Sequence, residues 1–229
     1  MRIGSIPLVT VLFLFLCFGV GTAGADAVQN VEYSVEHGFY DTPFQLTLST
    51  PTPAAEIRYT LDGSTPKLNT GAVYRSPLTI TGTTVIRAAA FKANFQDPNV
   101  VTKTYIFVND VIRQSPNGQA PGSGWPTGSV NGQVIDYGMD PDIVNSPRWA
   151  GLMEIALLEI PTISLVTDTA NLFDRSTGIY VNARNDGIAW ERRTSVELIN
   201  PDGTPGFGLD AGLRIRGAFS RDERNPKHS

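Results

Sequence analysis

The amino-acid sequence predicts a mainly β protein in two parts, an antiparallel sandwich followed by a mixed segment in which strands predominate. Three observations carry this expectation. Apolar and polar residues alternate in short runs such as Phe44-Gln45-Leu46-Thr47-Leu48-Ser49, the period that turns one face of a strand inward. Glycine and proline, 22 and 16 among 229 residues, cluster between those runs and mark turns. The single cysteine, Cys17, lies in an amino-terminal stretch expected to be removed. Disulfides and thiolate metal sites then drop out, and stability has to come from packing and backbone pairing.

That stretch has an early Arg2, an apolar run from Ile6 to Val20 and the triplet Ala23-Gly24-Ala25. This is the layout of a secretory signal peptide, residues 1–25, cleaved after Ala25. The apolar run falls short of the ~20 residues that cross a bilayer, so no membrane partner is expected after cleavage. Leu16 before Cys17 argues against lipid attachment there. The 204 remaining residues carry 17 basic and 22 acidic side chains, which speaks against nucleic acid as a partner.

The first module is expected over residues 31–108. Phe44, Leu46 and Leu48 share an inward face, as do Ile57, Tyr59 and Leu61 in Glu56-Ile57-Arg58-Tyr59-Thr60-Leu61. Asp62-Gly63-Ser64-Thr65-Pro66 is a turn in which Asp62 bonds its own backbone and Gly63 takes a positive φ. Further strands are expected at 78–80, 84–91 and 101–107, and short strands between turns favour an antiparallel sandwich. Tyr59 and Tyr105 read as packing residues. Asp62 is a turn former, because no second acid stands near it to share a cation.

Residues 109–159 read as a Gly/Pro-rich connector followed by a helix. Ser115-Pro116-Asn117-Gly118 and the stretch from Ala120 to Gly128 make regular structure improbable, while Trp125 and Tyr137 have to pack on something. After Ser146-Pro147, Trp149, Leu152, Met153, Ala156 and Leu157 fall on one helical face. Glu154 and Glu159 lie on the wet side.

In residues 160–229 a buried strand is expected over 161–166, a turn capped by Asp168, and strands over 178–181, 195–199 and 209–217. Arg214 and Arg216 alternate with Leu213 and Ile215, so the two cations share one face. They either pair with acids such as Glu197 or Asp210 or face a ligand. His37 and His228 are far apart in sequence, which gives little support to a zinc site or a hydrolytic triad.

Two resemblances add to this reading. Ile57-Arg58-Tyr59-Thr60-Leu61-Asp62-Gly63-Ser64-Thr65-Pro66, Val73-Tyr74-Arg75-Ser76-Pro77-Leu78 and Thr104-Tyr105-Ile106-Phe107 resemble the chitobiase/beta-hexosaminidase C-terminal domain family, small immunoglobulin-like sandwiches of secreted proteins. Gly178-Ile179-Tyr180, Trp190-Glu191-Arg192, Ser195-Val196-Glu197-Leu198 and Arg214-Ile215-Arg216-Gly217 resemble the beginning of the CotH kinase family. The fold class implied is mainly β: an immunoglobulin-like antiparallel β-sandwich followed by a truncated α+β, atypical kinase-like segment.

The second resemblance implies a piece of an exported protein that transfers phosphate from ATP, with Mg2+, to a protein acceptor. Its catalytic acids would lie beyond Ser229, and this chain alone would be inactive. It assigns Lys227, Arg214, Arg216 and Arg221 to the phosphates and places the protein outside the cytoplasm or in the cell envelope. The competing expectation is a non-catalytic surface protein that contacts polysaccharide.

Overall fold

The computed structural model describes residues 27–96, 98–217 and 219–222. The predicted leader at 1–25 and Lys227 lie outside the described residues. Strands prevail in what is described, as expected, and they form several sheets.

The first module contains β1 (Glu32–Tyr33), β2 (Gly38–Phe39), β3 (Phe44–Leu46), β4 (Leu48–Ser49), β5 (Glu56–Thr60), β6 (Ala72–Val73), β7 (Leu78–Ile80), β8 (Thr84–Phe91) and β9 (Val101–Ile106). A five-stranded sheet runs in the order β2-β9-β8-β5-β6, and the pairs β1-β4 and β3-β7 form a second layer. The run from Phe44 to Ser49 breaks at Thr47 because its two halves pair with different strands, β7 and β1. β2 runs parallel to β9, a departure from the antiparallel rule inside this module.

Alternation explains the core. Leu46, Leu48 and Ile80 of the small pairs meet Ile57, Ile86, Ala88, Ala90 and Tyr105 of the large sheet in one buried cluster. Tyr105 is fully buried, donates its hydroxyl to the carbonyl of Val35 at 2.8 Å and stacks edge-on against Tyr40 and Phe44. Tyr59 packs against the same cluster, so both tyrosines are packing residues. Leu61, expected inside, is 56% exposed: β5 ends at Thr60, and the alternation ends with it.

In the connector, α1 (Val108–Ile112) and a hairpin of β10 (Ser129–Val130) with β11 (Gln133–Val134) appear where no regular structure was expected. Asn131 (φ 53°) and Gly132 (φ 77°) form the two-residue turn, whose left-handed conformation matches strand twist. Asn-Gly is the local signal for this hairpin. Trp125 packs on Tyr137 and Phe173, as its size demanded. The expected helix after Ser146 is short. It follows α2 (Pro141–Val144) and consists of a 3-10 turn, Ala150–Leu152, and α3 (Met153–Leu157). Trp149 and Leu152 stay exposed, so the predicted apolar face is not a buried one.

The second module holds β12 (Thr162–Val166), α4 (Thr169–Phe173), β13 (Arg192–Ile199) and β14 (Phe207–Leu213). The three strands form one antiparallel sheet with β13 in the centre. Three expectations need correction. β12 is half exposed rather than buried. No strand forms over 178–181, where residues 179–181 are turns, although Ile179 and Tyr180 are buried; their amides bond the carbonyls of Asn171 and Leu172, behind α4. β14 begins at Phe207 and ends at Leu213, so Arg214 to Gly217 lie past the strand. A kinase-like α+β arrangement is not seen in the described residues. No helix among them is long and apolar enough to cross a membrane.

Candidate functional site

Two groups of polar residues stand out, one between the modules and one at the end of β14. The first arises because β8 and β9 present alternate residues to the core and to the far side of the sheet. Ile86, Ala88 and Tyr105 face inward, which leaves Arg87, Thr102 and Thr104 on the far side, all buried. What buries them is the sheet of the second module. Thr102 donates to Ser195 Oγ at 2.8 Å, and the hydroxyls of Thr104 and Ser164 meet at 2.8 Å. Thr104 also donates to Glu197 Oε2 at 2.6 Å, and His37 Nδ1 lies 2.6 Å from Glu197 Oε1. Glu197 is 1% exposed; two partners, one per oxygen, make that burial tolerable.

At the other end of the seam lies the DGSTP turn. Asp62 accepts from the backbone and hydroxyl of Ser64 at 3.0 and 2.5 Å, and Gly63 takes φ 79°. Arg87 donates to the Gly63 carbonyl at 2.9 Å and to Thr65 Oγ1 at 3.0 Å. Asp168, expected to cap α4, makes no side-chain cap bond. Its carboxylate accepts instead from the backbone and hydroxyl of Thr65, at 2.5 and 2.9 Å, and lies 3.5 Å from the buried Arg87 guanidinium. Burial pushes Arg87 down from its ordinary value, and Asp168 opposes that shift.

Residues 35–102 match the model of the chitobiase/beta-hexosaminidase C-terminal domain. No curated protein and no solved structure matches the chain. The matched domain lends its recognisable turn to a contact with its neighbour on the chain: DGSTP holds Asp168. This contact was hidden from sequence reasoning. The acid beside His37 in sequence is Glu36, which pairs with Lys103, whereas the partner of His37, Glu197, stands 160 residues away.

The hydrogen bonds from Ser64 hold the Asp62 carboxyl below the ordinary carboxylate range, against a smaller opposing effect of burial. A carboxyl lowered by folding stabilises the protein above its unfolded pKa of about 3.9 and loses that contribution as pH falls through the lower folded value. Asp62→Ala is therefore expected to cost up to about 1 kcal/mol at neutral pH, little because solvent screens the site. Its thermal midpoint should also fall less steeply below pH 4 than that of the native chain. Parallel acid arms in the two melting profiles would refute this.

The second group is the set assigned from sequence. Arg214 and Arg216 are exposed and Leu213 and Ile215 half-buried, so the alternation persists past the strand. The acids offered as partners are engaged elsewhere: Glu197 by His37, and Asp210 by Arg193 at 2.6 Å. Arg214 lies 3.4 Å from Glu191, and Arg221 sits 3.2 Å from Asp186 and donates to the Asn185 carbonyl at 3.4 Å. Arg216 forms no ion pair among the described residues. Each of these guanidinium groups has the donor chemistry that phosphate oxygens require. The metal half of such a site is different. Among the described residues no group of three His, Cys, Asp or Glu side chains could hold a cation, so Mg2+ is assigned no ligand among them.

Proposed function

We propose that this chain is the amino-terminal part of an exported CotH-like protein whose full-length form transfers phosphate from ATP to protein side chains. The sandwich serves in it as a docked scaffold. The observation that carries the reading is the cation set that follows β14. Among the described residues Arg216 is exposed and without an ion pair, and Arg214 and Arg221 are each balanced by one carboxylate. Phosphoryl transfer needs positioning and charge neutralisation more than covalent chemistry from the protein. Arg214, Arg216, Arg221 and Lys227 supply the positive half, and Lys227 is the first choice for direct contact. Carboxylates that hold Mg2+ and receive the acceptor proton belong to sequence past Ser229.

A second reading is favoured by the seam. Asp168 and Glu197, acids of the second module, are committed to the sandwich, as suits a non-catalytic surface protein with polysaccharide or protein partners.

Incubation of the longer gene product with labelled ATP and Mg2+ separates the two. Transfer to protein is expected, and Lys227→Ala is expected to lower it at least about tenfold, since one charge-assisted contact is worth about 1.5–3 kcal/mol. Arg216→Ala should give a smaller drop. Absence of transfer by a folded longer product rejects the kinase reading in favour of the surface protein. Undiminished labelling in Lys227→Ala removes that residue from the site.

A further inference from the structure

A cleft of about 660 Å³ opens beside the seam, next to the DGSTP turn. Its walls come from three places: the end of that turn with Lys67 and Leu68, the end of β8 with the loop that follows it, and Arg193 of β13. The size falls within the ~300–1,000 Å³ of small-molecule sites. Phe91, Phe95 and Pro98 give the cleft an apolar lining, and Leu68 adds a side chain that is 57% exposed. The charges along it have one sign. Lys67, Lys92 and Arg193 line it, and no acidic side chain does among the described residues. The one acid in the sequence of the loop, Asp97, lies outside the described residues. In a chain of net charge -4 this is a local reversal.

Lys92 is half-buried, and its Nζ sits 4.5 Å from the centre of the Phe95 ring. The ring face holds the ammonium group without neutralising it. Neither Lys92 nor Lys67 forms an ion pair among the described residues, whereas a charge drawn into an apolar wall ordinarily has a counter-ion. Both lysines stand on turns with fixed backbones. Lys67 and Thr70 exchange backbone hydrogen bonds at 3.2 and 3.0 Å, and the Phe95 amide donates to the Lys92 carbonyl at 3.2 Å in a turn where Asn94 takes φ 65°. Arg193 is held by Asp210 at 2.6 Å. The cations are therefore in place before a ligand arrives, which lowers the ordering cost of binding.

Two requirements on the occupant follow. Ammonium groups without counter-ions call for an anion, and low-dielectric walls strengthen their pull. An apolar lining disfavours an ion that keeps its whole hydration shell, as inorganic phosphate does, and favours one with an apolar body. We infer that this cleft binds a small amphipathic carboxylate, an aryl or alkyl acid, with its apolar body against Phe91, Phe95 and Leu68 and its carboxylate on Lys92 and Lys67. The inference is independent of phosphate transfer, since none of the described cations after β14 lines the cleft.

The probe is naphthoate, in equilibrium dialysis against the 229-residue chain. A Kd of about 1 mM or tighter is expected for a ligand of about 13 non-hydrogen atoms. Naphthamide, which has the same shape and no charge, should bind at least about tenfold more weakly. Lys92→Gln should weaken naphthoate binding by about the same factor, as loss of one charge-assisted hydrogen bond does. Lys67→Ala, at an exposed position, gives a second readout should the Lys92 variant fail to fold. Arg75→Ala removes an exposed cation outside the cleft and should leave the Kd unchanged.

Equal affinity for naphthamide would mean adsorption to apolar surface, and displacement of naphthoate by equimolar inorganic phosphate would mean a plain cationic patch; either overturns the inference. So would an unchanged Kd in both lysine variants, or the lack of saturable binding below about 10 mM.

Discussion

Glu197→Ala is expected to destabilise the chain by about 3–5 kcal/mol, as loss of two hydrogen bonds to a buried carboxylate, worth about 1.5–3 kcal/mol each, does. At about 2–4 °C per kcal/mol this lowers the melting midpoint by roughly 10 °C. Glu197 is 1% exposed and takes one hydrogen bond on each oxygen, from Thr104 and from His37. Alanine would leave the His37 ring nitrogen without this partner and Thr104 with Ser164 alone. The cost is not the net worth of the pair, because desolvation of the carboxylate offsets much of its attraction. Two further variants separate these quantities. His37→Ala combined with Glu197→Ala in a double-mutant cycle should give a coupling of about 1–3 kcal/mol. Glu197→Leu with His37→Leu should recover most of the loss, since no unpaired charge remains. A urea-derived stability for Glu197→Ala within about 1 kcal/mol of the native chain would mean that the two modules do not dock through this carboxylate.

The second large effect belongs to the core of the sandwich. Tyr105→Ala should cost about 3–5 kcal/mol, the range for a fully buried aromatic residue, because Tyr40, Phe44 and Phe107 cannot close the space together. Tyr105→Phe keeps the ring and loses only the hydroxyl that donates to Val35, so about 1 kcal/mol is expected. A ratio of roughly four between the two variants, measured by chemical denaturation, assigns most of the stabilisation to ring packing. Equal losses would mean that the hydrogen bond to the strand-flanking Val35 carbonyl holds the module together instead.

Legibility differs between the two modules for a physical reason. In the first, the alternation of apolar residues in several strands points to one core, although strands as far apart as β2 and β9 pair. The spacing of Leu46, Leu48, Ile57 and Ile86 is enough to place them inside, and Asp62 with Gly63 is enough to make DGSTP a turn. In the second, the same alternation is visible in Ile163-Ser164-Leu165 and Leu213-Arg214-Ile215-Arg216, but periodicity states only that two faces differ. It does not state which face is covered. The apolar composition of β12 therefore suggests burial, while its apolar side is the open one and its polar side lies against the sandwich. The strand expected at residues 178–181 fails differently. Ile179 and Tyr180 are buried as their composition suggests, but behind a helix and in turns rather than in a ladder.

The candidate site divides in the same way. Arg214, Arg216 and Arg221 are named from sequence through a resemblance and a local run of cations. His37, Arg87, Asp168 and Glu197 cannot be named so, because each is an ordinary residue in its own stretch.

The β character, the turn chemistry, most inward positions of the sandwich, Leu61 excepted, and the composition of the cationic segment after β14 are thus settled by sequence. All of these depend on residues within a few positions of one another. Tertiary packing was needed to bring His37 to Glu197, to set Asp168 on Thr65 and not on its own helix, and to turn the polar face of the second sheet toward the sandwich. Those pairings join residues roughly 100 to 160 positions apart, and they follow from which faces are buried together, a property that no local pattern encodes.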